Sequence, residues 1–303
     1  MSRPRMPVLA LAALLLLVLL AALARGARAY VLSERLFHLP RPPVVRPQDL
    51  AGLEDLRLRS AEDGVELRGW YLRSRTGAAV VLVHGLGQDR TTLLPEARLL
   101  AARGDGVLLF DLRAHGESGG DFQTYGDRER GDVRAALDWV LAQPDVDARR
   151  VGALGFSIGA SALAEVAAAD PRVAAVALLC PYSTLEEAIR SDFRSGGPLT
   201  EEPALLPYRR RGVRLGAVRP VEAIARLGPR PVWLVAGTRE TDLPMMRRVF
   251  AAAPPSAQTW WVEGAGHGEY AQAAPAEYAR RLIAFFDAAL GGSAAGSAAP
   301  ARP

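Results

Sequence analysis

Five short, unbroken apolar runs recur along the chain: Ala79 to Val83, Gly106 to Phe110, Val151 to Phe156, Val173 to Leu179 and Pro231 to Ala236. Each is short for a helix and has no polar face. Each therefore reads as a strand buried on both sides, as in a parallel sheet. Helical patterns separate them, over Leu93 to Ala102, Asp127 to Ala142, Ser157 to Ala168 and Asp242 to Ala253. The series closes with Gln258 to Val262 and a helix from Ala276 to Leu290, whose Tyr278, Leu282, Phe285, Phe286 and Leu290 share one stripe. Two earlier segments, Leu53 to Arg59 and Val65 to Leu72, alternate apolar with charged residues and predict an antiparallel hairpin at a sheet edge. The expected fold is α/β: a mostly parallel, doubly wound sheet of eight strands. Residues 181–227 break the alternation and are too long for a plain loop. They are expected to form a small cap after the sixth strand, over the carboxyl ends of the sheet.

The folded unit should occupy residues 53–290, a length one domain can reach. Before it, Met6 to Ala24 is an apolar run of 19 residues flanked by Arg3, Arg5, Arg25 and Arg28. A membrane-spanning helix needs about 20 residues, whereas a signal-peptide core is usually about 7–15. Residues 1–29 are therefore expected to be an uncleaved single-pass anchor with the domain outside the cytoplasm. The alternative is a signal segment cut at Ala27-Arg28-Ala29, giving a secreted protein. Pro40, Pro42, Pro43 and Pro47 predict a stiff connector over residues 30–52. Residues 291–303, nearly all Gly, Ser, Ala and Pro, should be disordered.

The net charge is +4 and the chain contains no Lys. The densest basic cluster, Arg209-Arg210-Arg211 with Arg214 and Arg219, lacks the interleaved aromatics of a nucleic-acid site, so no nucleic-acid partner is expected. It reads as a solvated or membrane-facing patch. The single Cys180 excludes an intramolecular disulfide and a Cys-based zinc site, and reads as a small buried hydrophobe. Oligomeric state is not legible.

Between the third apolar run and its helix lies Gly155-Phe156-Ser157-Ile158-Gly159. Strand, G-x-S-x-G and helix together match a nucleophile elbow. Flanking glycines relieve the clashes of a tight turn, and the following helix aims N–H groups at a developing oxyanion. A bare Gly/Ser turn is the competing reading, so the elbow needs a base, an acid and oxyanion donors. Of four histidines only His267 follows Ser157, in Gly264-Ala265-Gly266-His267-Gly268, after the last strand. Imidazole there could take and return the serine proton. The acid should follow the strand ending at Ala236, where Glu240 and Asp242 compete; Asp242 could instead cap the helix that Pro244 helps start. Oxyanion donors are expected from the N–H groups of Leu86, in His84-Gly85-Leu86-Gly87, and Ile158. His84 reads as a loop brace. Asp111 and Arg113 read as an ion pair bracing the loop that carries His115, and Asp132 as a favourable charge near a helix start. No metal site is suggested and no cofactor is called for.

Together His84-Gly85, Asp111-x-Arg113-x-His115-Gly116-x-Ser118, the elbow and Gly264-x-Gly266-His267 resemble the α/β-hydrolase superfamily over about Leu53 to Leu290. The likeness is greatest to its serine-aminopeptidase and dienelactone-hydrolase-like branches, membrane-anchored bacterial members included. The resemblance implies Ser157 as nucleophile and His267 as base. It places the acid three residues after a glycine, at Glu240; aspartate is commoner there, which keeps Asp242 open. The implied activity is a serine hydrolase of carboxylic esters, with thioester or lipid-like acylated substrates included, working through an acyl-enzyme. A peptidase is the alternative, with Glu201 and Glu202 facing a substrate amino group. A non-catalytic, membrane-tethered binding module is the third reading.

Overall fold

A computed structural model describes residues 8–291. Its centre is one eight-stranded sheet in the order β1-β2-β4-β3-β5-β6-β7-β8. The strands are β1 (Glu54–Arg59), β2 (Glu66–Leu72), β3 (Ala79–Val83), β4 (Gly106–Phe110), β5 (Val151–Phe156), β6 (Ala175–Leu179), β7 (Val232–Gly237) and β8 (Gln258–Val262). β1 and β2 pair antiparallel at one edge, β2 joins β4 antiparallel, and every other pairing is parallel. β3 to β6 are buried at every position, which is why they appear in the sequence as unbroken apolar runs. The expected sheet is the one observed.

Helices cover both faces: α2 (Leu94–Arg103), α3 (Glu129–Leu141), α4 (Ile158–Ala169), α8 (Leu243–Ala251), the short α9 (Tyr270–Ala273) and α10 (Pro275–Leu290). The predicted stripe of α10 is fully buried; a Cβ at Gly152 of β5 would strike its Phe286 ring at 2.8 Å. Between β6 and β7 the chain forms α5 (Leu185–Asp192), α6 (Pro198–Arg210) and α7 (Pro220–Ala225), with no strand. These are the helices of the 181–227 segment.

The N-terminal region differs from expectation. One helix, α1 (Val8–Arg35), runs 11 residues past the apolar stretch that ends at Ala24, so the segment from residue 30 begins as helix rather than connector. Its far half is docked. Ala29, Ser33 and Phe37 are buried at a four-residue spacing, the spacing that puts side chains on one helix face. Ser33 Oγ donates to the Ala204 carbonyl of α6 at 2.6 Å, and Phe37 packs on Tyr208 with ring centroids 4.5 Å apart. Beyond it, Gln123 donates to Leu36 O, while Arg41 donates to the carbonyls of Ser118 and Gly120. The prolines hold an extended path, but the path lies on the domain. Residues 292–303 of the expected disordered tail lie outside the described residues.

The basic cluster is solvated, with the side chains of Arg209, Arg214 and Arg219 about half exposed. Arg209, Arg211, Arg214 and Arg219 meet Glu202, Glu34, Asp127 with Glu62, and Glu222 respectively. Four of its five guanidiniums pair with carboxylates: Glu34, Glu62 and Asp127 come from distant parts of the chain, Glu202 and Glu222 from nearby.

Candidate active site

β5 ends at Phe156 and α4 begins at Ile158, leaving Ser157 alone at the corner with φ 54° and ψ −117°. That is a strained conformation for a residue with a side chain. The corner closes only because its neighbours are bare. A Cβ on Gly155 would lie 2.6 Å from Ala160 Cα, and one on Gly159 would collide with the Val83 and His84 carbonyls. Ser157 N–H donates to Leu179 O at 2.8 Å, and its carbonyl accepts from Ser161 N–H and Oγ. The backbone is thus pinned from both sides, and Oγ stands above the carboxyl ends of the strands.

His267, in the loop after β8, meets it: Nε2 lies 3.1 Å from Ser157 Oγ. Its other nitrogen, Nδ1, lies 2.9 Å from Glu240 Oε2. Glu240 is 6% exposed, and its second oxygen accepts the Tyr270 hydroxyl at 2.5 Å and the Gly237 N–H at 3.3 Å. Burial raises the Glu240 carboxyl, but the hydrogen bonds from His267 and Tyr270 outweigh it and hold the group below its ordinary range. A carboxylate therefore faces Nδ1, which favours the tautomer with Nδ1 protonated and Nε2 free to accept from the serine.

Asp242 does not compete. Its Oδ1 caps α8 by accepting from Met245 N–H at 3.0 Å, and its Oδ2 accepts from Ser191 Oγ and pairs with Arg194. In this loop the carboxylate that meets His267 and the carboxylate that caps a helix are thus on different residues.

The Leu86 loop is held by its neighbours. Gly85 N–H donates to Gln88 Oε1 and Gly87 N–H to His115 Nε2, whereas Leu86 N–H and Ile158 N–H meet no acceptor among the described residues. His84 and His115 are braces. His84 Nε2 accepts from Leu112 N–H and its Nδ1 faces Gly85 O; His115 Nδ1 donates to Arg113 O. Burial pushes His84 down to about 3, helped by His115, and burial pushes His115 down as well. Each ring accepts a backbone N–H at Nε2, an arrangement that a neutral imidazole makes.

The expected Asp111–Arg113 ion pair does not form. Asp111 pairs with Arg90 at 3.0 Å and accepts the N–H groups of Arg90 and Glu117, tying the 111–118 loop to the Leu86 loop. Arg113 turns away to Asp132, Asp63 and Ser60. Asp132 is thus a buried ion-pair partner and more than a charge at a helix start. Both partners lie far away in sequence, so spacing alone does not reveal them. Tyr270 was also not singled out; its signal is only an aromatic residue three positions after His267.

A cavity of ≈ 160 Å³ opens beside Ser157 and His267. Ala188, Met245, Met246 and Cys180 give it an apolar wall; Tyr125, Thr241 and Asp242 lie around it. Glu201 and Glu202 do not line it: both pair with Arg190. Cys180 is buried, with Sγ 3.4 Å from Met246 Sδ, and burial pushes its thiol up. Cys180, Glu240 and His267 bring ligand-type atoms within 4.8 Å of one another. Within this trio Glu240 is hydrogen-bonded to His267 and also to Tyr270, while Cys180 Sγ contacts Met246 Sδ.

The Alpha/beta hydrolase family profile matches residues 80–281. An uncharacterised protein of Mycobacterium tuberculosis is 29% identical over 272 residues, which cover 87% of this chain and 88% of that protein. A thiohydrolase of Aspergillus aculeatus is 30% identical over 176 residues, 56% of this chain and 55% of its own. Among solved structures, an esterase of Pyrococcus furiosus superposes with a TM-score of 0.70 at 24% identity, covering 84% of this chain and 100% of that one. At that identity the likeness speaks for the fold.

Proposed function

The chain belongs to the alpha/beta hydrolase family, and on that premise we propose that it is a serine hydrolase acting on carboxylic esters and thioesters. One observation carries this reading: the unbroken line from Ser157 Oγ through His267 to Glu240, at 3.1 and 2.9 Å. Ser157 attacks the acyl carbon as His267 Nε2 takes its proton. The N–H groups of Leu86 and Ile158 receive the charge that develops on the acyl oxygen. His267 then returns the proton to the leaving group, and water hydrolyses the acyl-enzyme by the same route. Glu240 holds the imidazole in register and stabilises its charged form. The thiohydrolase relative supports including thioesters. The peptidase reading is weaker, because Arg190 neutralises the acidic pair offered for a substrate amino group.

Anchoring through α1 is part of the same proposal, and its docked half supports it over signal cleavage. Ala29, the last residue of the cleavage motif, is 3% exposed within a helix packed on α6. We place the domain outside the cytoplasm.

The test uses the full chain in detergent micelles. A fluorophosphonate probe should label it and not Ser157→Ala, and p-nitrophenyl and thioester substrates of graded chain length should be turned over by the wild type alone. A folded wild-type protein that neither labels nor turns over would sink the assignment.

A further inference from the structure

α1 and α6 are in register, and the register has a direction. A Cβ on Gly26 would lie 3.2 Å from Leu199 O and 3.3 Å from Pro203 Cγ, while further along Ser33 meets Ala204 and Glu34 meets Arg211. The two helices therefore run the same way, and the start of α6 lies level with Gly26. The apolar span of α1 ends at Ala24, two residues earlier, or about 3 Å along the axis at 1.5 Å per residue. The headgroup layer beyond a bilayer core is roughly 5–8 Å deep. The tip of the cap, residues 196–200, thus falls at the depth of the headgroups.

The surface there suits that depth. Among the described residues outside the apolar span, Leu199 is the exposed large hydrophobic residue at that depth; Val31, Leu32 and Leu206 are exposed about two turns farther along α1 and α6. Leu199 at the tip is 54% exposed. Arg25 and Arg28, exposed at the same level, make no ion pair among the described residues. A mixed apolar and cationic rim complements an anionic phospholipid surface.

The cavity is next to this rim. Arg194 donates to Asp242 Oδ2 at 3.0 Å and Thr241 O at 2.7 Å, both residues of the cavity wall. Five residues, at most about 18 Å of chain, separate Arg194 from Leu199. The ≈ 160 Å³ volume compares with the roughly 150 Å³ that holds one benzene, so it takes about the first six carbons of an acyl chain. A longer chain must leave its remainder outside, where a bilayer would solvate it.

We propose that the cap tip at Leu199 rests in the headgroup layer of an anionic phospholipid bilayer, and that the site draws membrane-resident acyl esters from that leaflet. The placement of the tip rests on the proposed anchoring through α1, and the delivery part rests on the serine hydrolase reading as well.

The full chain is reconstituted in vesicles of phosphatidylcholine and phosphatidylglycerol, with an environment-sensitive fluorophore on Leu199→Cys or, at the opposite end of the strands, on Arg149→Cys; Cys180 is buried. Lipids spin-labelled near the headgroup should quench most of the emission at 199 and little at 149. Equal quenching at both positions overturns the placement. Delivery is read as the ratio of turnover of a long-chain monoacyl ester in the vesicles to that of soluble p-nitrophenyl butyrate. Leu199→Asp should lower this ratio by about tenfold, the scale of losing one buried Leu contact; an unchanged ratio overturns delivery. If Ser157→Ala turns over both substrates as fast as the wild type, the serine hydrolase reading fails while the quenching result stands.

Discussion

Ser33 of the N-terminal helix donates its hydroxyl to Ala204 of the cap at 2.6 Å, although 171 residues separate them. Gly26 and Ala29 extend this contact along the same helix, Phe37 continues it in the turn just past the helix end, and Arg211 lies over the Phe37 ring, 4.2 Å from its centroid. The half of α1 beyond the apolar span is part of the domain's core.

A protein beginning at Gly26 should therefore melt close to the full chain, and one beginning at Val44 should not. Losing Phe37 alone removes a fully buried aromatic, about 3–5 kcal/mol. At this chain length that corresponds to a midpoint roughly 10 °C lower. Thermal unfolding followed by circular dichroism compares the two. Equal midpoints would show that the docked half of α1 contributes nothing.

The two acids after β7 should separate cleanly. Glu240→Gln loses the charge facing His267 Nδ1, and kcat should fall by about 10³ to 10⁴-fold with little change in KM. Asp242→Ala should keep kcat on a short ester within about threefold. It should lose about 1 kcal/mol of stability, the usual worth of a helix cap. Steady-state kinetics and urea titration on both variants check this. The opposite pattern would make Asp242 the acid.

Asp111→Asn should destabilise by about 1–3 kcal/mol, because it removes one of the two carboxylates, Asp111 and Glu117, that pair with an Arg90 side chain only 3% exposed. The loss should be read at the Leu86 loop as well. Where the variant remains folded, kcat should fall more than KM changes, since a displaced Leu86 N–H weakens only the transition state.

His84 makes stability depend on pH in a definite direction. Burial, helped by His115, pushes its folded pKa down to about 3, below the value near 6.5 of an unfolded chain. The unfolded state then takes the proton first as pH falls. The contribution is complete above about pH 6.5 and is lost at about 1.4 kcal/mol per unit between there and pH 3. Asp111, pushed up to about 6 by burial, acts oppositely between about pH 6 and 4, so the measurement must be a difference. Urea unfolding of wild type and His84→Gln at pH 7, 6 and 5 should show the wild type losing stability relative to the variant on acidification.

The strand order along the chain, the elbow at Ser157 and the position of His267 were legible in the sequence, because each depends on local pattern. A strand buried on both faces has to be apolar throughout, as Val80 to Val83 is. A corner at φ 54° has to be flanked by residues without Cβ, as Gly155 and Gly159 are. Chain order left only His267 after the serine. What depended on distant partners was not legible. Asp111 and Arg113 sit two residues apart, yet one faces Arg90 and the other Asp132 and Asp63, because the chain turns at Arg113 and Ala114, where Ala114 has φ 56°, and is not extended there. Likewise, that Glu240 faces His267 while Asp242 caps a helix follows only once Tyr270 and the start of α8 are in place. The docked half of α1 was hidden for another reason: a stripe of Gly26, Ala29, Ser33 and Phe37 has little hydropathy of its own. It becomes a contact surface only when α6 lies against it, because small residues let two helix backbones approach closely.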